Sequence, residues 1–384
     1  MNTLFYAPQM AAYGGMERHI CSLAALTARR GHRVTLLTTS NSLGDDLRTE
    51  LKHPLISLRE LPAARNRAGQ LRKLQWLVSE VWRARREKWD IIYTNGQSAL
   101  ARVVWYAAPG TARHIHHHHT AADAGEQATW SNGFRNVLRD VSELVACSCA
   151  TRDAINLAVK RANTVYLPYL TRCPVDAASV ADRSPRETLH FGFMGRLIRE
   201  KGIDTICRLS ADPSLAHITW HLHGAGPDFP PEFFKAWPRI VYHGAYIGTA
   251  AQAAALNQLD AIVLFSSHNE GMPLSLIESM SAGLPWIATD RGGTRELAIS
   301  SANCVVVPFP AGESDLRAAV VEMSSRLRAG RTSRVAQRSV YDTHFAPAVV
   351  GERWMEFIEA HLPVSRQSMV SPHAPLLSTY TSAS

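Results

Sequence analysis

Thirteen short apolar runs constrain this chain more than any other feature. Seven lie in its first half: 2–8, 32–39, 55–61, 90–95, 113–119, 143–149 and 164–170. Six more follow at 189–195, 218–224, 239–245, 261–267, 284–290 and 304–310. Most are separated by enough residues for a helix. Strands that alternate with helices pair in parallel and carry helices on both faces. Between the sets, "YLTRCPVDAASVADRSPRE" (169–187) is rich in Pro, Ser, Asp and Arg, a linker composition. The fold class expected is therefore α/β, with two doubly wound, Rossmann-like domains facing across a cleft. The divisions are 1–172, a linker at 173–187, a second domain at 188–345, a C-terminal helix at 346–363 that packs back on the first domain, and a disordered tail at 364–384. Such sheets bind ligands beyond the carboxyl ends of their strands.

A chain of 384 residues is long enough for two buried cores, and 46% hydrophobic with 19% charged residues is the balance of a water-soluble globule. The net charge of +8 makes an anionic partner plausible. Nucleic acid is not expected, because no basic or aromatic recognition motif accompanies the charge. Cysteines at 21, 147, 149, 173, 207 and 304 form no C-x-x-C pair and no zinc spacing, which reads as reduced thiols in a cytoplasmic protein. The start "MNTLFYAPQM" has no basic segment followed by a long apolar one, so no signal peptide is expected. No stretch approaches the ~18 apolar residues of a membrane span.

Four segments carry the chemistry. In "SSHNEGMPLSLIESM" (266–280), Glu270 falls at the end of a strand and Glu278 inside the following helix. Pro273 suits the first helical turn and Gly283 its end. Ionised carboxylates accept strong hydrogen bonds from sugar hydroxyls, and the helix start offers N–H groups to a phosphate. The same spacing is also met by a solvated loop glutamate and an ordinary helix glutamate. In "FGFMGRLIREKGID" (191–204), Arg196 and Lys201 stand on a loop after a strand, where two cations can clamp a diphosphate or form a solvated turn. In "YAPQMAAYGGMERHI" (6–20), Gly14 and Gly15 precede a helix from about Met16 and allow close backbone approach. "RHIHHHHTAAD" (113–123) holds four successive histidines, of which two at most share one face of a strand. "GAGPDF" (224–229) has Phe229 where a dinucleotide fingerprint needs glycine.

Together and in this order, "GGMERHI", "LTARRGHRVTLLT", "GRLIREKGID", "HGAGP" and "SSHNEGMPLSLIESMSAGLPWIATDRGGTREL" resemble the family-4 retaining, nucleotide-sugar-dependent glycosyltransferases of the GT-B fold. The resemblance touches both domains. It implies that Glu270 meets donor-sugar hydroxyls, Glu278 the nucleotide ribose, and Arg196 and Lys201 the diphosphate. Backbone at Gly271, Met272 and Pro273 would face the transferred sugar or phosphate, with Gly15 approaching from the first domain. The family's cleft histidine maps to the 116–119 run and is taken here as His119 rather than His118. The catalytic set implied is Glu270, His119, Arg196 and Lys201. The donor implied is a UDP- or GDP-sugar, and the acceptor a glycan or lipid-linked glycan of cell-surface polysaccharide or lipopolysaccharide synthesis. No cofactor and no metal are expected, since no D-x-D segment is present.

The stretch 65–89 carries eight Arg or Lys against two Glu, with Leu71, Leu74, Leu77, Val78, Val81 and Trp82 at helical spacing. A basic amphipathic helix can lie on an anionic inner-leaflet surface, or it can pack in a core with its basic face solvated. The alternatives to a transferase are a same-fold sugar-nucleotide epimerase, a phosphorylase with a Schiff-base lysine, and a non-catalytic nucleotide-sugar-binding subunit.

Overall fold

The computed structural model describes all residues except 9, 11–13, 40–42, 62–66, 109, 111 and 361–384. The proposed disordered tail at 364–384 lies outside the described residues. All thirteen apolar runs form strands: β1 (Asn2–Ala7), β2 (Arg33–Thr39), β3 (Ile56–Leu61), β4 (Ile91–Asn95), β5 (Arg113–His118), β6 (Glu143–Ala146), β7 (Thr164–Tyr166), β8 (Leu189–Met194), β9 (Ile218–His223), β10 (Ile240–Gly244), β11 (Ala261–Leu264), β12 (Trp286–Thr289) and β13 (Cys304–Val307). They assemble into a seven-stranded sheet ordered β3-β2-β1-β4-β5-β6-β7 and a six-stranded sheet ordered β10-β9-β8-β11-β12-β13. Every ladder is parallel. Inner parallel strands are covered on both faces, which explains why most of the runs do not alternate, whereas the edge strand β10 does.

In each sheet the order reverses once, between β1 and β4 and between β8 and β11. Helices leave on opposite faces at those two points, and the strand ends splay into a crevice. The loops after β8 and β11, with Arg196, Lys201 and Glu270, open at the second of them. Phe191, Phe193, Trp220 and Trp286 fill the core beneath. The last helix, Pro347–Glu359, follows the second sheet in sequence but packs in the core of the first. Trp354 is fully buried among residues of β1 and β4 and donates its indole N–H to the Pro168 carbonyl at 2.8 Å.

Two glycine-bearing segments join these loops without side-chain bulk. Gly224 has φ +151°, and a Cβ there would stand 1.8 Å from the Gly195 carbonyl oxygen. A Cβ on Gly226 would stand 2.0 Å from the Leu197 oxygen. "GAGP" is thus the packing surface for the loop that carries Arg196.

The helix Arg67–Ala84 divides its apolar residues between two environments. Leu77 and Val81 are buried, whereas Leu71, Leu74, Val78 and Trp82 are exposed, Trp82 by 65%. The apolar stripe is wider than the surface the sheet offers it. No helix among the described residues is long and apolar enough to cross a membrane.

Candidate active site

The site is built around Glu270. β11 ends at Leu264, and Glu270 follows in a loop held by a bridge to Gly292. The carboxylate is 7% exposed. Lys201 donates to both of its oxygens, at 2.6 and 2.7 Å, and the Ser266 hydroxyl donates to Oε1. His268 lies 3.7 Å away. Burial by itself raises the carboxyl, but the Lys201 ammonium, His268 and the Ser266 hydroxyl outweigh it and hold Glu270 below the usual carboxylate range. Lys201 precedes Gly202, whose φ of +76° turns the chain sharply. A Cβ on Gly202 would stand 2.4 Å from the Phe265 carbonyl oxygen, so the two loops touch backbone to backbone. Arg196, on the same loop as Lys201, is exposed, and its side chain has no hydrogen bond or ion pair among the described residues.

Glu278 lies one helix further in. The helix runs Leu274–Ser281, with Pro273 at the capping position just before it and the chain turning out at Gly283 (φ +70°). Glu278 is buried, and burial raises its carboxyl above the usual range against the pull of Arg18 and Gln252. Gln252 donates to one oxygen at 2.6 Å and Arg18 to the other at 3.1 Å. Arg18 belongs to the first helix, Gly15–Arg29, so this ion pair bridges the two halves of the molecule. Sequence reasoning missed Arg18, although it stands four residues after the Gly14 that was singled out.

The first half meets these loops at close range. A Cβ on Gly15 would stand 2.1 Å from Leu274 Cδ1, and one on Gly271 would stand 2.9 Å from the His119 carbonyl oxygen. Met272 is buried beside it. Asn269 donates to Asp123 at 2.7 Å. Both oxygens of Glu296 accept from backbone N–H groups, Cys149 and Ala150, each at 2.8 Å. These are first-turn amides of the helix Cys149–Val159, so a carboxylate of the second half caps a helix of the first.

The histidine run divides as its alternation requires. His116 and His118 lie against Phe134, and His118 pairs with Glu126 at 2.9 Å. His117 and His119 lie on the other face with His19 and Trp354. His119 follows the last residue of β5. Its Nδ1 is 3.3 Å from the Tyr169 hydroxyl, which donates to the His119 carbonyl at 2.8 Å. Burial, with His19 and the neighbouring histidines, depresses His119 well below the ordinary imidazole range, so its ring is neutral near pH 7.

Residues 14–169 match the glycosyl transferase 4-like domain, and residues 188–326 match glycosyl transferases group 1. The chain belongs to the family-4-like glycosyltransferases of the GT-B fold. Among curated relatives, the GDP-mannose-dependent alpha-mannosyltransferase of Mycolicibacterium smegmatis is 32% identical over 149 residues, 39% of this glycosyltransferase and 38% of that protein. The chain thus spans well under half the length of that curated relative. HepE of Anabaena, solved with UDP and glucose, superposes with a TM-score of 0.70 at 18% identity, covering 94% of this chain and 100% of that one. WaaG, a glycosyltransferase involved in lipopolysaccharide biosynthesis, superposes at 0.69 with 16% identity over 93% and 99%. At these identities the superpositions establish the fold.

Proposed function

We propose that this glycosyltransferase moves a hexosyl group, with retention, from a nucleotide-sugar donor to a glycan or lipid-linked acceptor in cell-surface polysaccharide or lipopolysaccharide synthesis. The observation that carries the reading is the Lys201–Glu270 pair at the switch point of the second sheet, with Arg196 on the same loop as Lys201. Breaking a sugar–phosphate bond loads negative charge onto the departing diphosphate and positive charge onto the sugar. Arg196 and Lys201 answer the first, and cations fixed in place need no reorganisation as the charge grows. Glu270 stays ionised by virtue of its depressed titration and accepts hydrogen bonds from the sugar hydroxyls. Glu278 takes the ribose. Backbone at Gly271, Met272 and Pro273 borders the transferred group, Gly15 closes the site from the first half, and the neutral His119 bonds the sugar or the leaving group. The scheme needs no second carboxylate as nucleophile: the leaving phosphate assists deprotonation of the acceptor. This scheme uses no metal.

The relatives support a nucleotide-sugar donor, since HepE is solved with UDP and one curated relative is named for GDP-mannose. The basic helix Arg67–Ala84, with its exposed Leu71, Leu74, Val78 and Trp82, supports peripheral attachment to an anionic inner leaflet where a lipid-linked acceptor would lie. The test is a melting-temperature panel of UDP-, GDP- and dTDP-sugars with and without EDTA, followed by product analysis by NMR. The expected result is a nucleotide-specific rise whose increment survives EDTA, and a product with the donor's anomeric configuration. Isomerised donor would point to an epimerase, and binding without turnover to a non-catalytic subunit. Either would overturn the assignment.

A further inference from the structure

A second histidine cluster lies on the second sheet, apart from the candidate active site. His221 and His223 are alternate residues of β9 and therefore share a face. His243 joins them from the edge strand β10, where the pairing with β9 shifts register between Tyr242 and Gly244. That irregularity leaves His243 without a partner in the ladder. One ring nitrogen from each of the three lies within 4.8 Å of the others. No other such group of three His, Cys, Asp or Glu occurs among the described residues.

Close contacts between ring nitrogens link the cluster. His221 Nδ1 is 2.9 Å from His243 Nε2, and His221 Nε2 is 2.9 Å from His190 Nδ1. His223 stacks on His243 at 4.1 Å, and its Nε2 is buried with no hydrogen-bond partner among the described residues. A buried, unpartnered nitrogen is a cost that a ligand removes. His243 is exposed, so an ion has a path in from solvent.

We propose that His221, His223 and His243 form a binding site for a divalent transition-metal ion of the imidazole-preferring class, Zn²⁺ or its close analogues Co²⁺ and Ni²⁺. The ligand atoms are His221 Nδ1, His223 Nε2 and His243 Nε2, with solvent completing a tetrahedron. Metal–nitrogen bonds of roughly 2.0–2.1 Å put tetrahedral ligand atoms about 3.3 Å apart, so His221 Nδ1 and His243 Nε2 open slightly while His223 Nε2 comes to the same spacing. His221 Nε2–H then donates to His190 Nδ1, and that outer hydrogen bond fixes the tautomer and the ring orientation. Binding displaces the proton now shared between His221 Nδ1 and His243 Nε2, and His243 keeps one proton as its Nδ1–H tautomer, so all three ligands stay neutral and no proton is lost overall. The site is structural: it ties the edge strand to β9, whose last residue accepts a hydrogen bond from Gly195 on the loop of Arg196. It does not depend on the transferase reading, and the ion takes no part in the transfer.

The test is titration of the tag-free full chain with Co²⁺ and Zn²⁺, followed by visible absorption and calorimetry. Expected for the wild type is one saturable equivalent, with the intense visible bands of tetrahedral Co²⁺. His243→Ala and His223→Ala should each weaken binding by roughly tenfold or more, and His190→Ala by roughly tenfold through lost orientation. His53→Ala, remote from the cluster, is the control and should change nothing. His243 is exposed on an edge strand, so its variant should remain folded, as circular dichroism would verify. Wild-type binding by His243→Ala, or the absence of any saturable equivalent in the wild type, would overturn the proposal.

Discussion

Two glutamates eight residues apart occupy opposite electrostatic situations, and their replacement should separate binding from turnover. Glu278→Gln exchanges an ionised acceptor for a neutral one. Charge-assisted bonds exceed neutral ones by about 1–2 kcal/mol, so calorimetry should find nucleoside diphosphate affinity down roughly tenfold. Glu270→Gln should lower turnover more than nucleotide affinity, because its proposed partner is the reacting sugar. Equal losses of affinity with normal turnover at saturation would remove the separate roles. The two also respond oppositely to pH. Glu270 is depressed, so its contribution to stability is present above its unfolded value of 4.5 and lost as pH falls through the lower folded value. Glu278 is raised, so its ionisation penalises the fold as pH climbs above 4.5. Urea unfolding should therefore show Glu278→Gln gaining on the wild type as pH rises from about 4 to about 7, and Glu270→Gln losing ground over the same interval. A constant difference for either variant would contradict the burial and pairing described. At this scale the sequence was informative about residue types and spacing. Which partner each glutamate takes was not legible: Arg18 is 260 positions away from Glu278, and no local pattern links them.

The strands were legible as elements because parallel strands buried on both faces leave unbroken apolar runs, and thirteen such runs leave little room for another fold. The helix Arg67–Ala84 shows where that reading weakens. Its apolar residues fit one stripe by spacing, yet the fold buries only Leu77 and Val81 and exposes Leu71, Leu74, Val78 and Trp82. Amphipathic spacing says which residues cluster, not how much of the cluster a sheet covers. The uncovered part, flanked by Arg72, Lys73, Arg83, Arg85 and Arg86, is expected to bind anionic vesicles. Reversing charge at Arg83, Arg85 and Arg86 should abolish co-sedimentation, and unchanged co-sedimentation would remove the membrane role. The helix Cys149–Val159 carries a different dependence. Ser148 satisfies one amide of its first turn, but Glu296 satisfies two more from the other half of the chain. Loss of a cap costs about 0.5–2 kcal/mol, so Glu296→Ala should lower the urea midpoint by that order, and Glu296→Gln, with one accepting oxygen, by less. Identical midpoints for all three would mean that the cap contributes nothing. The histidine triad of β9 and β10 was half visible: "HLH" in 221–223 is a same-face pair, but only the register of the neighbouring strand brings His243 to it.

The whole molecule is held in one arrangement by contacts between its halves that leave no space for a single added carbon. Leu274 lies where a Gly15 side chain would go, and the His119 carbonyl and Cys147 lie where a Gly271 side chain would go. Arg18–Glu278, Asn269–Asp123 and the Glu296 cap fasten the same seam. Trp354 of the last helix adds a covalent return path, since its chain leaves the second sheet and ends in the core of the first. The two close approaches differ in what can yield. Gly15→Ala would meet the tip of a leucine at 2.1 Å, and that tip can rotate aside. Gly271→Ala would meet a backbone oxygen at 2.9 Å and the Cys147 sulfur at 3.0 Å. His119 and Cys147 follow directly on β5 and β6, which hold them in place, so the halves must separate instead. Gly271→Ala should therefore enlarge the radius of gyration in small-angle X-ray scattering and depress transfer far more than nucleotide affinity, because the clamp residues all lie in the second half. Gly15→Ala should leave the scattering curve nearly unchanged. If Gly271→Ala scatters as the wild type does and turns over normally, the contact is slack and closure of this seam does not govern the reaction.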